Sequence, residues 1–316
     1  MNHHSPTAQE NPSDRRILFI FLDGVGIGAK DARRNPLFSA RPPFLTDLLG
    51  GTLPSLRHRS VETSDALCIP LDPNLGVRGL PQSGTGQATL YTGVNAARLI
   101  RQHFGPYLYS TLKPVVAAQS VFARLRAAGK AHRIALANAF PQRFFDYLAG
   151  PRRRMVAGMY AALTADVRFR DIHDLHRGTA VSTDITAARW AHIGHPDAPV
   201  ITPYAAGRSL ARVAARHSFT LFEYFATDKA GHERSQAMAE AVLRDVDALL
   251  RGVYDHIDRK RTLVIVTSDH GNIEEIGIKT HTRHPVPLLL FGARGGFPVD
   301  GLHSLSHLVP AMCRFL

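Results

Sequence analysis

Short apolar runs alternate with helical segments along most of this chain, and this alternation limits the possible folds more than any other feature. The runs have the length and the β-branched and aromatic content of buried strands. They lie at residues 16–22, 134–136, 219–225, 263–266 and 286–291. Amphipathic helical patterns at 206–216 and 235–257 separate the later runs. Because such alternation places helices on both faces of a sheet, the predicted fold class is α/β, a three-layer sandwich around a mainly parallel central sheet.

The length of 316 residues fits one large α/β core with a small inserted segment. Residues 1–14 are polar and are predicted to be a disordered tail. Residues 141–205 have weak periodicity, scattered glycine and proline, and a basic run. We therefore predict a core formed by 15–140 and 206–316, with a small insert or cap at 141–205.

The chain carries a formal net charge of +12, which favours anionic partners such as phosphorylated metabolites. Nothing in it resembles a zinc finger, an RNP motif or a long basic helix, so nucleic-acid binding is a minor alternative. No stretch approaches the roughly 20 apolar residues of a membrane span. Two cysteines, Cys68 and Cys313, do not make a disulfide framework. The expected compartment is the cytoplasm.

Acidic and imidazole side chains follow the predicted strands. Ligands of open α/β sheets bind beyond the carboxyl ends of strands, so these side chains are candidates for one shared site. They are Asp23 after the first strand, Asp228 and His232 after the run at 219–225, Asp269 and His270 after the run at 263–266, and His281 shortly before the last strand. The four-residue spacing of Asp228 and His232 places both on one face of a helical turn.

Carboxylates and neutral imidazoles are ligands for zinc, manganese or iron. Six such side chains exceed the needs of one tetrahedral ion. They fit two ions, the arrangement used for in-line displacement at phosphorus. We therefore expect two divalent metal ions, Mn²⁺ or Zn²⁺.

Ser83 lies in the glycine-rich segment Pro81-Gln82-Ser83-Gly84-Thr85-Gly86-Gln87, before a predicted helix at 88–91. Backbone N–H groups at a helix N-terminus hold phosphate oxygens. A serine hydroxyl is a weak nucleophile until a base or a metal ion activates it. The alternative interpretation of this segment is a flexible turn without catalytic function.

Taken together, these motifs resemble the alkaline phosphatase superfamily. Within it, the chain resembles the metalloenzyme domain of cofactor-independent phosphoglycerate mutases and phosphopentomutases. The resemblance rests on Asp23-Gly24, Ser83-Gly84-Thr85-Gly86, Asp228-Lys229-Ala230-Gly231-His232, Asp269-His270-Gly271-Asn272 and the segment from His281-Thr282 to Val286-Pro287. It implies one ion held by Asp228, His232 and His281, and another held by Asp23, Asp269, His270 and the Oγ of Ser83. It also implies that Ser83 attacks phosphorus and becomes a phosphoserine.

Two departures from that family bear on the reaction. Gln87 stands where the mutases have a histidine in the same loop, and the 141–205 insert is too small for their second domain. That domain excludes water from the phosphoserine, and a more open site favours hydrolysis. We therefore predict a metal-dependent phosphatase or phosphodiesterase acting on a small anionic phosphate ester. A phosphomutase and a non-catalytic metal- and anion-binding protein are the alternatives, and a sulfatase is disfavoured because no Cys-x-Pro-x-Arg pattern occurs.

Substrate contacts are predicted more weakly than the metal ligands. Thr85 and Gln87 are candidates to donate hydrogen bonds from the nucleophile loop, and Lys229 is a candidate to reach a phosphate oxygen. His103 and the basic run at 152–154 are candidates too, although a structural histidine and a solvated basic run are the commoner occurrences. The substrate itself and the oligomeric state do not follow from the sequence.

Overall fold

A computed structural model describes residues 15–130, 133–150 and 154–316 of the chain. The predicted disordered tail and the first two arginines of the basic run at 152–154 lie outside these ranges.

The described residues form a seven-stranded sheet in the order β2-β3-β9-β8-β1-β7-β4, together with a short separate pair, β5-β6. The strands are β1 Arg16–Leu22, β2 Val61–Glu62, β3 Ala66–Leu71, β4 Ile134–Leu136, β5 Asn138–Ala139, β6 Val181–Ser182, β7 Phe219–Tyr224, β8 Thr262–Thr267 and β9 Val286–Gly292. The helices are α1 Pro36–Ala40, α2 Pro43–Leu48, α3 Ser83–Thr92, α4 Ala96–Ile100, α5 Lys113–Gln119, α6 Val121–Ala127, α7 Gln142–Ala149, α8 Ala157–Thr164, α9 Ile172–His176, α10 Pro203–Ala214, α11 Ala226–Glu233, α12 Gln236–His256 and α13 Leu308–Phe315.

Strand β1 lies in the middle of the sheet and packs both of its faces against helices. Ile17, Phe19 and Phe21 belong to one hydrophobic core, which they share with α3 to α6, α8 and α13. Leu18, Ile20 and Leu22 point the other way, into a second core with α1, α2, α10 and α12. This period-two division follows from strand geometry and produces the three layers, confirming the predicted fold class.

The sheet is mixed. Strands β4, β7, β1 and β8 are parallel to one another, whereas β9 is antiparallel to β8 and β3 is antiparallel to β9. The amino end of an antiparallel strand lies at the same edge of a sheet as the carboxyl ends of its parallel neighbours. The residues before β9 therefore reach the edge where β1, β7 and β8 end.

Two local features differ from what the sequence patterns indicated. The segment 50–80, where no strand was predicted, contains β2 and the six-residue β3. Strand β3 is hard to recognise in the sequence because it contains Pro70 and is only partly buried. It pairs antiparallel with β9 on one side and with the short edge strand β2 on the other. The helix after the glycine-rich loop begins at Ser83 and not at residue 88, so Ser-Gly-Thr-Gly forms its first turn.

The division into core and insert stays a prediction, and the structure adds one observation to it. Helix α8 lies within the predicted insert, yet its Ala157, Ala161 and Ala162 are fully buried in the same core as α3 and α5. Cys68 is buried, Cys313 is partly exposed, and both are free thiols. Among the described helices, none has the length and apolar character to cross a membrane.

Candidate metal centre

The predicted ligands lie at one edge of the sheet. Asp23 directly follows β1, and its backbone N–H donates to the carbonyl of Tyr224 at the end of β7, 2.9 Å away. Helix α11 begins two residues after β7 and carries Asp228 and His232 on its first and last turns. Asp269 and His270 follow β8 closely, and His281 precedes β9. The mixed sheet therefore brings four distant parts of the chain to one place.

Asp23, Asp269 and His270 form the first group, here called the Asp23 cluster, with potential ligand atoms within 4.8 Å of one another. The Nε2 of His270 lies 3.3 Å from Oδ1 of Asp23 and 3.6 Å from Oδ2 of Asp269. The same Nε2 is 2.9 Å from the Oγ of Ser83. The predicted nucleophile thus stands directly beside this cluster, at the first residue of α3.

Asp228, His232 and His281 form the second group, here called the His232 cluster, within the same 4.8 Å limit. The Nε2 atoms of the two histidines are 3.2 Å apart, and that of His232 is 3.2 Å from Oδ2 of Asp228. The Nδ1 of His281 faces the carbonyl of Pro81 at 2.7 Å, and the Nδ1 of His232 faces the carbonyl of Lys279 at 2.8 Å. With Nδ1–H donating to a carbonyl, each ring keeps its Nε2 lone pair for a metal ion.

The two clusters are neighbours. The rings of His270 and His281 stack with centroids 3.8 Å apart at an interplanar angle of 16°. Gly24 has a φ of +69°, and a Cβ there would lie 2.5 Å from Oδ1 of Asp228. Glycine is therefore required after Asp23, both for the turn and for the close approach of α11. The structure brings all seven predicted metal-site residues together.

The Asp23 cluster has the properties of a cation site. Oδ1 of Asp23 and both carboxylate oxygens of Asp269 are buried and have no hydrogen-bond partner among the described residues. Burial and the charges of Asp269 and Asp228 raise the pKa of Asp23, and burial and Asp228 raise the pKa of Asp269. Burial, together with His281, lowers the pKa of His270 to about 3 and leaves the imidazole neutral. Buried carboxylates of this kind need a positive charge, and the oxygen and nitrogen donors fit a divalent metal ion.

Sequence reasoning missed Glu274, which ties the ligand loops together. Its Oε2 accepts hydrogen bonds from the N–H of Gly26 at 3.0 Å and of Asn272 at 2.8 Å. Its Oε1 accepts one from the Thr282 hydroxyl and lies 3.1 Å from Nδ1 of His284. One buried carboxylate thereby joins the loops after β1 and β8 to the segment before β9. The available signal was an acidic residue two positions after the DHGN motif.

A second buried carboxylate, Glu223 of β7, was also missed. Its Oε1 accepts a hydrogen bond from the Tyr91 hydroxyl at 2.7 Å. Burial raises the pKa of Glu223 to about 7. Its charge in turn contributes to the raised pKa of Asp23, so Glu223 belongs to the electrostatic surroundings of the Asp23 cluster.

The weaker substrate candidates have different surroundings. The Thr85 hydroxyl donates to the carbonyl of Gln82 at 3.1 Å and accepts from the N–H of Phe104 at 3.2 Å, so it holds the nucleophile loop in place. A contact of Thr85 with the substrate stays a prediction. Gln87 is fully buried one turn after Ser83, with no hydrogen-bond partner for its amide among the described residues. Lys229 is exposed and lines a cavity of about 660 Å³.

His103 lies beside Gln82 in a smaller cavity next to the nucleophile loop. Burial lowers the pKa of His103. The structure gives no contact between this ring and Ser83, so a catalytic role for His103 has no support in the geometry.

Comparisons with known proteins agree with this site. The family model described as Metalloenzyme superfamily matches residues 205–306. The 2,3-bisphosphoglycerate-independent phosphoglycerate mutase of Methanococcus vannielii is 28% identical over 113 residues, which are 35% of this chain and 26% of that protein. The corresponding enzyme of Pyrococcus abyssi is 31% identical over 84 residues, 27% of this chain and 20% of that protein. The matched segments thus span about a quarter or less of these relatives.

Solved structures share the fold over nearly the whole chain. The alkaline phosphatase of the Antarctic bacterium TAB5 gives a TM-score of 0.53 at 11% identity and covers 95% of this chain and 97% of its own. A protein of Pyrococcus horikoshii gives a TM-score of 0.57 at 14% identity and covers 95% and 96%. These likenesses establish an alkaline-phosphatase-like architecture.

The chain has an alkaline-phosphatase-like fold, and its residues 205–306 match the model of the Metalloenzyme superfamily. Segments of 113 and 84 residues resemble 2,3-bisphosphoglycerate-independent phosphoglycerate mutases, the resemblance that the motifs indicated. The comparisons support an enzyme of the phosphoryl-transfer type and do not separate a hydrolase from a mutase. The number and identity of the metal ions and the catalytic roles of single residues stay predictions.

Proposed function

We propose that this protein hydrolyses a small phosphate ester through a phosphoserine at Ser83. The observation that carries this proposal is the position of the Ser83 Oγ, 2.9 Å from Nε2 of His270 and beside two adjacent ligand clusters. A serine hydroxyl in a mostly buried position, among three carboxylates and three imidazoles, fits nucleophilic attack on an anionic group better than a structural role.

Helix α3 favours negative charge at this position. It begins at Ser83, so the positive end of its dipole lies at the residue that carries the hydroxyl and at any phosphoryl group bound there. An anion at a helix N-terminus gains about 0.3–1 kcal/mol from the dipole. Ser83 itself is largely buried, with 6% of its surface exposed.

Divalent ions bound at the two clusters would stabilise charge on phosphoryl oxygens and make hydroxyl groups better nucleophiles. Asp23, Asp269 and His270, with Ser83, would hold one ion, and Asp228, His232 and His281 the other. The carbonyls of Pro81 and Lys279 keep the two outer histidines oriented for this task. We propose Mn²⁺ or Zn²⁺, in keeping with the oxygen and nitrogen donors.

Lys229 of α11 lines the cavity of about 660 Å³, and Tyr224 and Phe225 at the end of β7 border it. The other charged groups of its wall are Arg143, Arg189, Asp184 and Asp245, which leaves a small surplus of positive charge. This volume suits a small organic group. We propose that Lys229 attracts the phosphate ester.

We also propose that the protein acts in the cytoplasm, where free thiols such as those of Cys68 and Cys313 are common.

The test is hydrolysis of an aryl phosphate ester by the purified full chain with Mn²⁺ or Zn²⁺. Ser83→Ala should lower kcat by about 10³-fold or more, because the nucleophile is removed. Ser110→Ala, an exposed serine outside the site, serves as the matched control and should leave kcat unchanged. Equal activity in wild type and Ser83→Ala would exclude Ser83 as the nucleophile, and a folded, metal-loaded protein without any turnover would favour the non-catalytic alternative.

A phosphomutase is the second candidate, favoured by the 28% and 31% identity with two phosphoglycerate mutases over segments of 113 and 84 residues. Phosphorus NMR with 3-phosphoglycerate distinguishes the two reactions. Release of inorganic phosphate supports the hydrolase, whereas accumulation of the 2-isomer without free phosphate supports the mutase.

A further inference from the structure

A second basic cavity lies far from the metal centre, between α10 and the segment 166–179. Its volume is about 570 Å³. The side chains with a positive or titratable nitrogen in its wall are Arg168, Arg170, Arg177, Arg212, Arg216 and His217. Arg216 and His217 directly precede β7, whereas Asp228 follows it. The six residues of β7 therefore separate this cavity from the metal centre by about 20 Å.

Carboxylates neutralise only part of this charge. Asp174 binds two of the guanidinium groups, with Arg168 Nη2 at 2.7 Å and Arg177 Nη2 at 2.9 Å. Across the ranges that the structure describes, Arg170, Arg212 and Arg216 form no ion pair with a carboxylate. The Nε of Arg170 donates instead to the carbonyl of Leu136 at 3.1 Å.

The arginines come from two separate parts of the chain. Arg212 reaches from α10 towards Gly178, where a Cβ would lie 2.8 Å from its Nη1. Gly178 has a φ of +61°, so the absence of a side chain serves both the turn and the approach of this guanidinium. The cations therefore converge on a concave surface.

The local potential reflects this surplus of cations. Burial lowers the pKa of Arg170, the charge of Asp174 partly opposes this, and Arg168, Arg177 and Arg216 lower the pKa further. Burial likewise lowers the pKa of His217, and Arg170 and Arg216 add to the effect. Like charges held together in a half-buried cavity are stabilised when an anion occupies it.

We propose that this cavity is a second anion site, which binds a small compound with two or more phosphate groups. Guanidinium groups match phosphate oxygens in a bidentate geometry, and Ile134, Val167 and Val213 supply an apolar wall for the rest of the ligand. A nucleic-acid backbone fits less well, because it needs an extended basic strip and not a single cavity. This inference does not rest on the proposed function, since none of these residues belongs to the metal centre.

The test is calorimetric titration of the full chain with inorganic tripolyphosphate at constant ionic strength. Wild type should bind about one equivalent, and Arg212→Gln and Arg170→Gln should each weaken the affinity about tenfold or more. The matched control is Arg208→Gln, one turn earlier on α10, outside the cavity wall, which should bind within about twofold of wild type. Extraction of metal by tripolyphosphate would give the same heat in all variants, so it is distinguished from binding in the cavity, which the arginine variants weaken.

Two results would overturn the proposal. One is absence of saturable binding, or equal weakening in Arg208→Gln and Arg212→Gln, which would show a diffuse charge effect. The other is tight binding of a single-stranded oligonucleotide that all three arginine variants weaken equally, which would show a nucleic-acid surface. Because Arg170 is half-buried, circular dichroism checks that Arg170→Gln folds. Arg212 is exposed, so Arg212→Gln tests the cavity even if the Arg170 variant does not fold.

Discussion

At the scale of single residues, the candidate site depends on the metal ligands and equally on the backbone and side-chain groups that orient them. The carbonyls of Pro81 and Lys279 orient His281 and His232, and the amide of Asn272 donates to Oδ1 of Asp228 at 2.6 Å. Glu274 accepts from two backbone N–H groups of different loops. Such supporting contacts typically change metal affinity by about 10–100-fold when they are removed.

Glu274→Ala should weaken metal binding by about 10–100-fold. It should also lower the free energy of unfolding by about 3 kcal/mol, because two buried N–H groups lose their acceptor. Metal titration and urea unfolding measure the two effects. Glu233→Ala, an exposed glutamate at the end of α11, is the control and should change neither quantity. Unaltered metal affinity in a folded Glu274→Ala protein would contradict the positioning role.

At the scale of elements, close helix packing and local capping decide the geometry. Helices α10 and α12 approach so closely at Gly207 that a Cβ there would lie 2.8 Å from the backbone nitrogen of Val253. Helix α9 begins with a capping box, in which Asp171 and Asp174 each accept from the other's backbone N–H. The contact between α10 and α12 could not be inferred from the sequence alone, because the approach of two helices depends on the whole core.

Gly207→Ala tests the helix contact. Alanine is favoured over glycine inside a helix by about 1 kcal/mol, so propensity alone predicts a more stable protein. The clash with α12 predicts the opposite, a loss of about 1–3 kcal/mol in the free energy of unfolding. Thermal and urea unfolding decide between them, with Arg208→Ala on the same helix expected to stay within about 0.5 kcal/mol of wild type. A stabilised Gly207→Ala would show that the helices can separate at low cost.

The pH dependence of the free energy of unfolding tests the contacts of Asp174. Burial alone would raise the pKa of Asp174, but hydrogen bonds from Arg168, the Asp171 N–H and Arg177 outweigh it and hold that pKa well below its usual range. The stabilisation is therefore complete above the unfolded-state pKa of about 4 and is lost as pH falls below it.

Asp174→Asn should accordingly cost about 1–3 kcal/mol at neutral pH, and the difference from wild type should shrink as the pH falls from 5 to about 3. Urea unfolding at several pH values measures it. Asp65→Asn, at an exposed carboxylate, is the control and should show little difference at any pH. A cost for Asp174→Asn that does not change with pH would refute the ionic origin of the effect.

At the scale of the whole molecule, the sheet gathers charges that would repel one another. Asp23, Asp228 and Asp269 come from three parts of the chain. Oδ1 of Asp23 and both carboxylate oxygens of Asp269 are buried and have no hydrogen-bond partner among the described residues. The chain as a whole is strongly basic, with a formal charge of +12, so the acidic site is a local exception. Bound cations should therefore stabilise the fold as well as serve the reaction.

Saturation with Mn²⁺ or Zn²⁺ at about 100 times the dissociation constant should add about 2.7 kcal/mol to the free energy of unfolding. A chelator should reverse the accompanying rise in Tm. The double variant Asp228→Asn, Asp269→Asn should show no rise, because it lacks a carboxylate in each cluster. An equal rise in that variant would place the metal elsewhere, and differential scanning calorimetry with metal analysis measures both quantities.

The sequence by itself determined the strand–helix alternation, the bounds of β1 and β4, and which residues are candidates for the metal site. Buried parallel strands need continuous apolar runs, and ligands need particular donor atoms, so both leave a local pattern. The tertiary structure alone decided that His281, before the antiparallel β9, joins the edge where β1, β7 and β8 end. It also decided that Glu274 links the loops, that Thr85 binds the backbone of its own loop, and that arginines of α10 and of segment 166–179 share a cavity. Those features depend on contacts between residues far apart in sequence, and such contacts leave no periodicity along the chain.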